Sequence, residues 1–104
     1  MAYRDVYASW RSDPEKFWMQ AAEAIDWVEA PSRALFAEKA PLYEWFCDAR
    51  VNTCWNAVDR HVEAGRGDQL AIIHDSPITH STKGITYREL RDRVASLAGA
   101  LRAK

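Results

Sequence analysis

The side chains with the most obvious capacity for chemistry are three histidines and two cysteines. His61, His74 and His80 would need ligand spacing to bind a metal, but the sequence contains neither HxxxH nor a Cys/His pair at zinc spacing. Cys47 and Cys54 are too few for a disulfide framework, and their separation does not suit a zinc knuckle. We therefore expect ordinary hydrogen-bonded or exposed histidines, buried free thiols and no metal site.

The tripeptide Asp59-Arg60-His61 brings a carboxylate, a guanidinium and an imidazole together on one stretch of predicted helix. An acid–base role requires such groups to converge on a pocket, and neighbouring residues along a helix do so poorly. We favour the alternative, a structural cluster of ion pairs and hydrogen bonds that ties the helix to a neighbouring layer. A polar stretch adds three hydroxyls near two of the histidines: Ser76, Ser81 and Thr82. Without a third, orienting group these do not form a triad.

A phosphate-binding loop needs glycines that let backbone N–H groups approach the ligand, with a lysine or a helix N-terminus behind them. The four glycines form no such pattern, and Gly65-x-Gly67 instead predicts the end of a helix followed by a turn. The adhesion tripeptide Arg66-Gly67-Asp68 falls inside that turn, and we interpret it as coincidence. The sequence thus predicts no catalytic residue, no cofactor-binding residue and no metal ligand in this chain.

The charge balance disfavours several classes of partner. Lys and Arg number 14 against 15 Asp and Glu, a formal net charge of -1 with both signs interleaved. Nucleic-acid binding, which depends on a basic surface, is therefore disfavoured, and so is a one-sided basic helix on a membrane. No run approaches the roughly 18 apolar residues of a membrane span, and the N-terminus does not begin like a signal sequence. We expect a cytoplasmic protein with no nucleic-acid or membrane partner.

The elements that would position these groups begin with a helix at Asp13. Asp13 is a suitable N-cap and Pro14 suits the first turn, and apolar residues then recur at helical spacing to about Asp26. Residues 27–41 give a weaker pattern, in which 32–40 are either a short helix or an ordered loop over a surface. Three aromatic side chains would anchor such a segment: Tyr43, Trp45 and Phe46.

The second predicted helix begins at a cap provided by Asn52 or Thr53 and ends where Gly65 supplies a left-handed residue. Its apolar face comprises four side chains: Cys54, Trp55, Val58 and Val62. Short strands are predicted at 70–74 and 85–87, with a polar loop over 75–84 between them.

The last helix gives the strongest periodic signal. Thr86 and Glu89 form a capping box, and apolar residues continue at helical spacing to Leu101. Because this pattern is still running at Lys104 and the aromatic content is high, we expect an incomplete piece of a larger intracellular protein. The order helix, helix, strand, strand, helix predicts an α/β fold for that protein and an α+β arrangement for this chain.

Six blocks of sequence follow one another along nearly the whole chain: DPEKFW at 13–18, IDW at 25–27, WF at 45–46, VNTCWNAVDRHV at 51–62, AII at 71–73 and ITYREL at 85–90. Together they resemble the N-terminal region of the short-chain acyl-CoA synthetases, the acetyl- and propionyl-CoA synthetase branch of the AMP-forming adenylating enzymes. The stretch DSPIT at 75–79 looks like the propionate-type members. The propionyl-CoA synthetases are therefore favoured within the family.

The resemblance implies a two-step acid–thiol ligase for the parent protein. A carboxylate reacts with Mg-ATP to give an acyl-adenylate and pyrophosphate, and CoA then displaces AMP. The family uses a Ser/Thr/Gly-rich phosphate loop ending in Lys, an Asp on the ribose and a Lys on a mobile C-terminal domain, none of which has a counterpart here. The resemblance also implies that 1–68 form an N-terminal helical segment and 69–104 begin a truncated AMP-binding domain. This chain would then be structural and inactive by itself.

The partners expected from the resemblance are the remainder of the synthetase chain and, for the parent, ATP with Mg²⁺, CoA, and propionate or acetate. The sequence also allows a homo-oligomer. Two alternatives stay open, the N-terminal region of an acetyl-CoA synthetase and an independent protein-interaction or oligomerisation module with a self-sufficient core. A small stand-alone enzyme has almost no support.

Overall fold

A computed structural model of the chain describes residues 2–104 and confirms the α+β arrangement expected from the sequence. Close contacts divide the chain into two compact units, the first ending at Asn52 and the second comprising Thr53–Lys104. The predicted boundary between residues 68 and 69 concerns the domains of a longer protein and stays a prediction.

The first unit begins with two consecutive helices, α1 (Tyr3–Ser12) and α2 (Pro14–Ala22). Helix α1 lies outside the predicted elements. Its start is stabilised by the Asp5 carboxylate, which accepts a hydrogen bond from the Ala2 N–H (3.2 Å). The rings of Tyr3 and Tyr7 stack one turn apart along it, with centroids 6.0 Å from each other.

The predicted cap of α2 is confirmed, because the Asp13 carboxylate accepts a hydrogen bond from the Lys16 N–H (3.0 Å). The helix is shorter than predicted and ends at Ala22 instead of near Asp26. The next three N–H groups bond three residues back, which tightens the last turn. The indole N–H of Trp27 also donates to the Ala22 carbonyl (2.9 Å), which satisfies a group at the helix end.

Four short strands follow in the first unit: β1 (Trp27–Glu29), β2 (Leu35–Phe36), β3 (Glu44–Trp45) and β4 (Arg50–Val51). They form two antiparallel pairs, β1 with β4 and β2 with β3. The helical alternative for 32–40 is therefore wrong. The Ser32 N–H donates to the Asp48 carboxylate (3.1 Å), and the carbonyl of fully buried Ala34 accepts from the Phe46 N–H (2.9 Å). These long-range bonds fix the segment as ordered loop and strand.

The second unit begins with helix α3 (residues 53–66), whose predicted start and stop are confirmed. Gly65 is left-handed at φ 81°. Two stretches, Trp55–Asp59 and Val62–Arg66, are π-helical, with backbone bonds that reach one residue further than in an α-helix. Val58 and Val62 are buried as the predicted face requires, whereas Trp55 is 39% exposed.

A hairpin of β5 (Leu70–Ser76) and β6 (Ser81–Thr86) follows α3. The two strands pair from Leu70–Thr86 out to Ser76–Ser81. The predicted polar loop over 75–84 is therefore wrong, because the turn is confined to residues 77–80. Most side chains of the outer half of the hairpin are exposed, so the sequence there lacks the apolar alternation that marks a half-buried strand.

The capping box of the final helix, α4 (Tyr87–Arg102), is confirmed. Thr86 Oγ1 accepts from the Glu89 N–H (3.2 Å), and the Glu89 carboxylate accepts from the Thr86 N–H (2.9 Å). The helix packs on α3 and on both strands of the hairpin. It ends at Arg102, where the Ala103 N–H bonds the Gly99 carbonyl (3.2 Å).

The apolar core of the described residues is small and consists of Ala22, Ala34, Val58 and Val62. The chain exposes 8334 Å², against about 7,200 Å² for two separate compact bodies of about 6 kDa each. Large apolar side chains account for part of this excess: Leu70 (52%), Ile73 (68%), Leu97 (62%) and Leu101 (69%) are examples. Within residues 2–104, no helix combines the length and apolar character that spanning a bilayer would require.

Two glycine substitutions should have opposite effects on stability. Gly65→Ala should destabilise the second unit by about 1–2 kcal/mol, because a Cβ is strained at φ 81° even though open space surrounds it. Gly99→Ala lies inside α4, also in open space, and should stabilise by about 0.5–1 kcal/mol through helix propensity. Urea unfolding followed by circular dichroism measures both, and shifts of the same sign would contradict the backbone assignment.

Candidate functional site

His61 lies at the contact between α3 and α4. Its ring is 5.1 Å from that of Tyr87 in the first turn of α4, and the Arg66 guanidinium lies 5.8 Å from the centre of the same Tyr87 ring. The Asp59 carboxylate lies near the Cys54 thiol, five residues earlier in α3, and raises the pKa of that thiol. His61 therefore contacts α4 through its ring, and the predicted cluster of ion pairs and hydrogen bonds at Asp59-Arg60-His61 stays a prediction.

The ion pairs between α3, the turn that follows it and α4 were not predicted from the sequence. Glu63 pairs with Arg91 (3.1 Å), and Asp68 pairs with Arg88 (3.4 Å). These side chains are 20 or more residues apart, so no helical spacing rule identifies them. Because most of these groups are well exposed, each pair contributes at most about 1 kcal/mol.

The environment of His61 predicts a pH effect on stability. Partial burial lowers the pKa of His61, and the positive charges of Arg66 and Arg60 lower it further. The folded state therefore prefers the neutral imidazole. Its contribution is complete above the unfolded-state pKa of about 6.5 and is lost as the pH falls through the lower folded-state pKa.

We expect the urea midpoint of the second unit to fall between about pH 7.5 and pH 5, and His61→Gln to flatten that part of the profile. His74→Gln changes an exposed strand residue and serves as the matched control. The profile of His74→Gln should follow that of the unchanged chain. A His61→Gln profile as steep as the unchanged one would show that His61 is not the responsible group.

The adhesion-like tripeptide lies on the surface of the second unit, with only its glycine buried. Gly67 is buried, and a Cβ added to it would lie 2.6 Å from the Arg88 guanidinium. Its carbonyl accepts from the Arg88 N–H (3.0 Å). Arg66 lies on the Tyr87 ring, and Asp68 pairs with Arg88. Both charged side chains contact α4 but stay exposed, and the interpretation of this tripeptide as coincidence stays a prediction.

The hydroxyls near the histidines hold the turn of the hairpin. Thr82 Oγ1 donates to the Asp75 carboxylate (3.0 Å), and Ser76 Oγ accepts from the Thr79 N–H (3.3 Å). His80 occupies a left-handed position, φ 48°, in the same turn. Within residues 2–104, no three His, Cys, Asp or Glu side chains converge as a metal ion would require. The prediction that the chain has no metal or catalytic residues stays a prediction.

Both cysteines are free, but the expectation of buried thiols is wrong for Cys47, which is exposed. Cys54 is half-buried, and this burial raises the pKa of its thiol, as does the neighbouring Asp59 carboxylate. Cys47 follows Phe46, whose left-handed backbone (φ 49°) redirects the chain after β3. The sequence carries no signal for this turn, because Phe is an unusual residue at positive φ.

A cavity of about 550 Å³ lies in the first unit, between the start of α2 and the β2–β3 pair. Its apolar walls include Trp18, Leu35 and Trp45, and the two indole rings meet edge to face with centroids 6.0 Å apart. Four charged side chains complete the lining: Asp13, Glu15, Arg33 and Glu38. The predicted anchor Trp45 thus lines this cavity, while Phe46 packs on Trp27 with centroids 5.7 Å apart.

Both units of the chain thus expose large apolar side chains. Residues 3–57 match the family described as the acetyl-coenzyme A synthetase N-terminus, which is more than half of the chain. The chain belongs to this family. The match covers the first unit and extends into α3.

Individual relatives agree with this assignment. The chain is 43% identical over 99 residues to acyl-CoA synthetase short-chain family member 3, mitochondrial, from Bos taurus and from Homo sapiens, covering 95% of this chain and 14% of each relative. It is 40% identical over 103 residues to acetyl-coenzyme A synthetase from Bradyrhizobium, covering 96% of this chain and 16% of that protein. The chain therefore spans about one seventh of the length of these acyl-CoA synthetase relatives.

Proposed function

We propose that this chain is the N-terminal portion of an AMP-forming acyl-CoA synthetase. The observation that carries the proposal is similarity over 99 residues, at 43% identity, to a protein named a short-chain acyl-CoA synthetase. The parent would activate a short-chain carboxylate with ATP to an acyl-adenylate and transfer the acyl group to CoA. In this proposal Mg²⁺, ATP and CoA bind to the remainder of the polypeptide. The cytoplasmic location stays a prediction.

We propose that this chain is structural within the parent. Such a reaction needs stabilisation of phosphate charge and exclusion of water from a reactive anhydride, and no residue of this chain is assigned to either task. The excess exposed surface and the exposed apolar side chains of both units support a role in packing against the rest of the synthetase. An independent interaction module would need a self-sufficient core, and the four buried apolar residues favour the packing role. Residues 69–104 would then begin the AMP-binding domain, with 1–68 as the segment before it.

We propose propionate as the preferred carboxylate, with acetate as the alternative. Support comes from the stretch 75–79, which resembles the propionate-type enzymes and forms the end of β5 and most of the hairpin turn. The highest kcat/KM of the purified parent among acetate, propionate and butyrate should be for propionate. A parent that prefers acetate would contradict the proposed preference for propionate, but it would not contradict the proposal that the parent is an acyl-CoA synthetase.

A further inference from the structure

We propose that the cavity between α2 and the β2–β3 pair binds an apolar segment bearing a lysine or arginine, contributed by the remainder of the synthetase polypeptide. The lining of the cavity alone indicates the chemistry of the occupant. Its source rests on the proposed function, since that function supplies the remaining polypeptide.

The walls of the cavity require an apolar occupant. Trp18 is 39% exposed and Trp45 is 51% exposed, although both indoles belong to the packed part of the first unit. A volume of about 550 Å³ lies within the range of pockets that bury a ligand or a few peptide residues. Covering two half-exposed tryptophans would remove a large apolar area from water, which favours an occupant with aliphatic stems.

The charges of the lining require a cationic occupant. The cavity is lined by three carboxylates, those of Asp13, Glu15 and Glu38, and by one cation, Arg33. The ion pair between Arg33 and Glu38 cancels one negative charge, and Asp13 caps α2. The positive end of α2 adds only about half a unit charge, so the lining stays negative. Arg33 is already engaged by its ion pair with Glu38 and by stacking 4.1 Å from the centre of the Phe36 ring. ATP, CoA and short-chain carboxylates are anions, so this charge repels the substrates of the proposed reaction.

A lysine or arginine side chain satisfies both requirements at once. Its aliphatic stem would lie on the indoles of Trp18 and Trp45, while its charged head would lie at Glu15, the lining carboxylate that neither pairs with Arg33 nor caps α2. The relatives continue well beyond the matched stretch, which covers 14% of their length. A segment of the same polypeptide would occupy the cavity at high effective concentration, without the cost of a bimolecular encounter.

The chemistry is tested on this chain with three peptides, acetyl-Leu-Lys-Leu-amide and its norleucine and glutamate counterparts. Binding is measured from the indole N–H signals of Trp18 and Trp45 in ¹H–¹⁵N spectra. The lysine peptide should bind most tightly and the glutamate peptide least. Glu15→Gln should weaken lysine-peptide binding roughly two- to fivefold, as loss of an exposed ion pair would. Glu23→Gln, exposed at the end of α2, is the matched control and should bind unchanged.

Equal binding of the lysine and norleucine peptides would overturn the proposal that the occupant is cationic. Absence of lysine-peptide binding would overturn the proposal that the cavity is a binding site. The source of the occupying segment is tested by adding the lysine peptide to the intact parent. The cavity should already be filled there by the parent's own segment, so the peptide should not bind. Parent that binds the peptide as this chain does would refute occupation by its own segment. Adenylation by the parent is measured separately, so an inactive parent with a protected cavity would refute the proposed function and leave this inference intact.

Discussion

Replacing Val58 with aspartate is expected to abolish the cooperative unfolding transition of the second unit. Val58 is 8% exposed and lies on the face of α3 that also buries Val62. An unpaired carboxylate at this position would cost several kcal/mol, comparable to the whole stability of a unit of this size. Circular dichroism and the dispersion of amide signals from Thr53–Lys104 measure the loss.

Ala57→Asp provides the matched control, because Ala57 is the preceding residue of α3 and is exposed. It should change stability by no more than about 0.5 kcal/mol. Equal damage from the two substitutions would show that an added carboxylate destabilises α3 equally at a buried and at an exposed position. The assignment of Val58 to the core would then lose its support.

Replacing Trp27 with alanine is expected to destabilise the first unit by about 3 kcal/mol. The indole N–H of Trp27 donates to the Ala22 carbonyl (2.9 Å), and its ring packs on Phe46. Trp27→Phe keeps an aromatic ring and loses the hydrogen bond, so about 1 kcal/mol is expected. Chemical unfolding of both variants, monitored by circular dichroism, separates the two contributions.

Val28→Ala is the control for this series, since Val28 follows Trp27 in β1 and is 68% exposed. Its effect should stay within about 0.5 kcal/mol. If Val28→Ala and Trp27→Ala cost the same, the loss would reflect strand propensity in β1. The contact of Trp27 with α2 and Phe46 would then not be the stabilising feature.

Elements marked by local chemistry were predictable from the sequence. Asp13 caps α2, Thr86 and Glu89 form the capping box of α4, and Gly65 ends α3 at positive φ. Each of these signals acts within one turn of helix and depends on the backbone of its immediate neighbours. Local signals of this kind do not depend on tertiary contacts with the rest of the protein.

Elements that depend on distant partners were missed. The strands of the first unit are two or three residues long, which is too short for any period to appear. Helix α1 had a usable signal in Tyr3, Tyr7 and Trp10, spaced four and three residues apart, but Ala2 is a weak cap residue. The π-helical stretches of α3 leave no compositional trace.

The candidate cavity was only partly predictable. Trp45 was identified as an anchor from its aromatic character, and Asp13 from its position at the start of α2. The role of Arg33 depends on its pairing with Glu38 and its stacking on Phe36, within a loop whose course the sequence does not determine. The sequence therefore did not predict which charged side chains the fold brings together around the cavity.

The most direct test of the account is exchange of labelled pyrophosphate into ATP, because this reaction reports acyl-adenylate formation. It should be run with propionate on this chain alone and on the intact parent polypeptide under the same conditions. The account predicts exchange by the parent and none by this chain. Exchange catalysed by this chain, or an intact parent that shows none with any short-chain carboxylate, would contradict it.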